Sequence, residues 1–138
     1  MQHDYILNET RKMALLLAKL FGLKAESNDE EFRQYLNTVL QDEYNAELDE
    51  LLQASETDFV SMLKTRAYSA EKLNALSQML YVFAEPFKAD EETAAILNKV
   101  LAIFDRLEEE HPYESFDNLN KRNHILRFFK NNYEERVL

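Results

Sequence analysis

Three histidines, three carboxylate runs and one arginine set among apolar residues are the side chains in this sequence whose types could do chemistry. His3, His111 and His124 are the only imidazoles, and no two lie three or four residues apart. A pair of ligands on one helical turn, the usual start of a zinc site, is therefore excluded by spacing. His111 sits in EEEHPYE beside three glutamates. That grouping could assist a divalent cation, but a histidine at the negative end of a helix dipole needs no metal to explain it. The carboxylate runs Asp29-Glu30-Glu31, Asp90-Glu91-Glu92 and Glu108-Glu109-Glu110 could supply an acid/base pair. The first two, however, stand where helices begin, and acidic side chains are electrostatically favoured there. There is no cysteine, which removes disulfides, thiolate metal sites and thiol nucleophiles together. No catalytic residue, cofactor or metal ligand is assigned from these residues.

The sharper feature is NKRNHILRFF, Asn120 to Phe129. On a helical projection Leu119, Ile125, Leu126, Phe129 and Tyr133 share an arc of roughly 120°, the width of a core stripe. Arg122 falls inside it, so its guanidinium needs a carboxylate or an anion: it is a structural ion pair or an anion-binding side chain. Phe128 falls outside the arc with Lys121 and His124, and an exposed aromatic there suits a partner interface. An enzyme or ligand-binding reading remains as the alternative, with Arg122, His124 and carboxylates of another helix around one pocket.

The elements that must position these residues are helices. One glycine in 138 residues is far below the ten or so expected at roughly 7%, which argues against hairpins and phosphate-cradling loops. The expected helices run from Tyr5 to Phe21, capped by Asp4 and Gly22, and from Asn28, whose spacing to Glu31 is that of a capping box. Two shorter segments follow between Glu43 and Arg66, divided near Ser55 or Thr57. The last three are Ser69 to Phe87, Glu91 to Glu110 after the Asp90 cap, and Asp117 to about Asn131. No stretch alternates with period two long enough for a strand. The chain is therefore expected to be all-α, with six or seven helices in an antiparallel helical-hairpin stack, a short right-handed solenoid, or a bundle. Residues 1–138 are taken as one domain, with 1–24 as a possible semi-independent first helix.

With those elements placed, Ala70 to Glu110 resembles an α-solenoid pair of the tetratricopeptide type, with aromatic and small residues at the facing positions. It departs from that pattern in longer helices, in Ser77 where glycine is common, and in having no recurrence in register. The opening DYI…LAKLFGL is similar to small bacterial proteins grouped as a domain of unknown function. The resemblances imply a helical stack and carry no activity.

Charge is uneven. The net charge of −10 divides into +2 over residues 1–24, +2 over residues 115–138 and −14 between them. An acidic body disfavours nucleic acid, so none is expected as a partner, and it makes the basic ends candidates for touching that body in the same or a neighbouring chain. MALLLAKLFGL, Met13 to Leu23, is the most apolar run. It is too short and too charged to span a bilayer and has neither the flanks nor the cleavage site of a secretory signal. The apolar residues of its helix spread over about 220°, twice a surface stripe, with Leu15 stray on the polar side. Such a helix lies between two layers of its own fold, pairs with another chain, or rests on a membrane surface by its basic face. The expected reading is a cytoplasmic interaction or structural module that forms homo-oligomers or binds another protein, without membrane contact. Leu15, Leu16, Leu20, Phe21, Lys121, His124 and Phe128 are its candidate interaction residues.

Overall fold

The computed structural model describes residues 2–112 and 115–134, with side chains from residue 8 and up to residue 133. The side chains of His3, Tyr5, Ile6 and Leu7, and residues 135–138 at the basic C-terminal end, lie outside that description. The described chain is all-α: α1 (Gln2–Ala25), α2 (Asp29–Tyr44), α3 (Leu48–Gln53), α4 (Glu56–Arg66), α5 (Ala70–Ala84), α6 (Glu91–Glu110) and α7 (Phe116–Phe129), the last continuing into a π-helical turn, Lys130–Glu134.

Most starts are set by a short polar side chain that accepts a hydrogen bond from an otherwise unpaired backbone N–H. Asn28 accepts from Glu31, Ser55 from Asp58, Ser69 from Lys72, Asp90 from Thr93 and Ser115 from Asn118. Ser55, not Thr57, therefore divides the middle segments. The Asp90 carboxyl is held below its ordinary pKa chiefly by the Thr93 backbone N–H.

Two expectations about α1 are corrected. Asp4 does not cap it, because the helix already runs at Gln2, and Gly22 does not end it, because the helix continues to Ala25. The left-handed residues after helices are Ser27 (φ 57°), Asn45 (φ 53°) and Ala67 (φ 49°) instead. Gly22 is an exposed glycine inside a helix, and a Cβ there meets nothing within 4 Å. Gly22→Ala should raise stability by about 0.5–1 kcal/mol, since glycine inside a helix costs that much relative to alanine. Ala67→Gly should also stabilise, by relieving a left-handed Cβ. Urea titrations of the two variants check both signs.

α5 and α6 pack most extensively on each other; α1 lies against α5 and α2, while α4 and α7 lie against α6. The return of α1 to a helix four elements later is the closure of a bundle. One apolar cluster runs through it, from Met13, Leu17 and Leu20 of α1 through Leu36, Phe59, Leu76 and Leu97 to Ile125 of α7. Polar links hold the periphery. At the end of α2 the carbonyls of Glu43, Tyr44 and Asn45 accept hydrogen bonds from Lys72, Tyr68 and Arg66. The buried Tyr44 hydroxyl in turn donates to the Lys72 carbonyl at 2.7 Å.

Candidate interaction site

α7 rotates its polar and aromatic residues differently from the expected stripe. Arg122 reaches α6, where it donates to Asp105 Oδ1 at 3.0 Å and Glu108 Oε1 at 2.9 Å and lies 5.6 Å from the Phe104 ring centroid. It takes the ion-pair role. Two residues on, about 200° around the helix, His124 faces the end of α5. Its Nδ1 is 2.6 Å from the Tyr81 hydroxyl, and its ring stacks on Phe87 with centroids 4.9 Å apart. Arg122 and His124 therefore diverge, and the shared pocket required by the enzyme reading is not assembled from them. Among the described residues, no three His, Asp or Glu side chains come together in a way that could hold a metal ion.

Phe128 was expected on an exposed face. It is half-buried instead, edge-on to Phe87 and Tyr133. Lys121 is ion-paired with Asp117 and lies 5.5 Å from the Tyr81 ring. Lys121, His124 and Phe128 thus line an aromatic seam that joins α7 to the α5–α6 loop, with Lys121 and Phe128 half-buried and His124 still exposed, and the Tyr133 hydroxyl donates there to the Asp90 carbonyl at 2.9 Å. The Tyr81 phenol is pushed up to about 12, mainly by burial.

What α7 leaves outside is apolar. Phe116 is 85% exposed, Leu119 50% and Leu126 49%, whereas Ile125 is fully buried. Of the expected core stripe only Ile125 is enclosed, because α7 rests mainly on α6 and one neighbour cannot cover a 120° arc. Beside this edge opens a cavity of about 370 Å³ whose lining includes Leu107, Phe116 and Leu119 together with Glu108, Ser115 and Asn118. Phe116, Leu119 and Leu126 were not among the residues singled out from sequence. The available signal was their place on the last helix, which has a layer on one side only.

α1 divides its wide apolar arc between two environments. Met13, Leu17 and Leu20 are buried in the core and Leu16 is half-buried, while Leu15 is 68% and Phe21 41% exposed. Leu20 therefore leaves the expected interaction surface: it is fully enclosed. The outward face is Arg11, Ala14, Leu15, Ala18, Phe21, Gly22 and Ala25, all exposed.

The lysines of α1 point to α2 instead. Lys12 pairs with Glu43 at 2.8 Å, Lys19 lies 4.4 Å from the Tyr35 ring centroid and Lys24 5.4 Å from that of Phe32. The basic end of the chain thus touches its own acidic body through these lysines, while Arg11 stays on the exposed outer face. No described helix is long and apolar enough to cross a membrane. No protein-family model, curated protein or solved structure matches the chain.

Proposed function

We propose that this protein is a non-enzymatic helical interaction module that self-associates through the outer face of α1. One observation carries the reading: the exposed large hydrophobic side chains among the described residues, Leu15, Phe21, Phe116, Leu119 and Leu126, all belong to the first and last helices. Scattered exposed leucines need no explanation, but a concentration on two outer faces marks contact surfaces. The contrast between the faces favours α1 for self-contact, since its small residues allow another backbone close, whereas α7 borders a groove suited to a different occupant.

Light scattering across a concentration series tests this. The expected result is a rise from 16.3 kDa toward twice that mass, abolished by Leu15→Glu with Phe21→Glu and retained by Phe116→Glu with Leu119→Glu. All four positions are exposed, so the helical circular-dichroism signal should persist. A mass that stays at the monomer value throughout would overturn the reading.

A further inference from the structure

We propose that α1 pairs antiparallel with α1 of a second copy about a two-fold axis through Ala18, with Leu15 seated over Gly22 of the mate and Phe21 over the mate's Ala14. This rests on the self-association reading above and specifies its partner and register.

The argument is one of self-complementarity. At about 100° and 1.5 Å per residue, with Ala18 as origin, Arg11 and Ala25 lie within about 20° of the seam. Ala14 and Phe21 fall on one flank, at about 40° and 60°. Gly22 and Leu15 fall on the other, at the same angles. A two-fold axis crossing the helix pair preserves the flank and reverses the height. Leu15, about 4.5 Å below the centre, then meets the mate's Gly22 about 6 Å below it on the same flank; Phe21 meets the mate's Ala14 in the same way above it.

Each large side chain is thus matched to a small one, so neither need displace the other and the backbones can approach closely. All of these residues are exposed, and a Cβ at Gly22 has open space around it. Charge agrees with the same register. Arg11, about 10.5 Å below the centre, comes level with the exposed Glu26 of the mate, about 12 Å below it. Like charges are turned aside: Lys19 and Lys24 sit about 100° and 120° from the seam and are held over Tyr35 and Phe32 of their own chain. One helix pair is smaller than the standard interface of about 1,600 Å², so the dimer should depend on concentration.

The protein has no cysteine, so an introduced thiol reports position without background. At an interaxial distance of about 9 Å, roughly 4.5 Å separates the two Cα atoms of residue 18, within disulfide range. Ala18→Cys in the full chain should give a covalent dimer under mild oxidation. Asn8→Cys, whose two copies would lie about 30 Å apart, should not. Gly22→Leu fills the seat of Leu15 and should weaken association at least tenfold while the monomer stays folded. Arg11→Glu should weaken it too, and adding Glu26→Arg should restore it. A dimer by mass in which Ala18→Cys fails to cross-link, or Asn8→Cys cross-links equally well, overturns this register and leaves self-association standing. A monomer at every concentration overturns both.

Discussion

Leu20→Ala should lower the stability of this protein by about 3 kcal/mol, whereas Leu15→Ala, five residues earlier in the same helix, should change it by less than about 0.5 kcal/mol. Leu20 has no exposed surface and lies in the cluster shared by α1 and the rest of the fold; Leu15 is 68% exposed. Truncating Leu20 removes its apolar transfer energy and leaves a space between helices that are close-packed on both sides, so little collapse can offset the loss. For a domain of this size the difference corresponds to about 10 °C in the thermal midpoint. Thermal and urea unfolding of the two variants at a concentration where the protein is monomeric separate core burial from association. Equal losses would mean that the outer face of α1 is covered within the monomer, against its exposure here.

The same helix shows where sequence was informative. Its excess apolar width was legible, because periodicity counts side chains around a cylinder. Which leucine faced which layer was not, because Leu16 and Leu20 share one arc and only the positions of α2 and α5 distinguish half-burial from enclosure. The helix starts were legible for a local reason: Asn28, Ser69 and Asp90 act on N–H groups three residues away. The helix ends were less so. The only glycine suggested a stop at Gly22, yet the chain turns at Ser27, and elsewhere at Asn45 and Ala67, in left-handed geometry that composition does not announce. For α7, the projection grouped Leu119 and Leu126 with Ile125 correctly as apolar neighbours but assumed a cover on every side. Arg122 pairs with Asp105 and Glu108, in keeping with the need of an arginine within an apolar arc to find acceptors.

Lys99 was not distinguished by motif or spacing, yet it yields the second large prediction. It lies on α6 three residues after Ile96 and four before Ile103, both buried, and is itself only 3% exposed. Burial pushes its ammonium below the ordinary 10.5, with Glu56 acting in the opposite direction. Lys99→Met keeps an unbranched side chain on that face, removes the charge, and leaves Glu56 on the exposed start of α4. Replacing an ionic group by an apolar one of similar shape in such a setting is neutral or favourable. With the opposing attraction of Glu56 largely screened by solvent, the expected gain at neutral pH is about 1–2 kcal/mol.

The pH dependence identifies the cause. Between the depressed folded value and 10.5 the unfolded chain binds more protons at Lys99 than the folded one, so this site makes the wild type more stable as pH rises. The advantage of Lys99→Met should therefore shrink through that window. Tyr44 and Tyr81 act oppositely, because burial raises their phenols and the fold holds protons that the unfolded chain loses above about pH 10. Both proteins contain these tyrosines, so their contribution cancels in the difference between the two unfolding curves, and the remaining slope belongs to residue 99. A destabilised Lys99→Met would instead show that attraction to Glu56 outweighs desolvation and that the lysine helps hold α4 against α6.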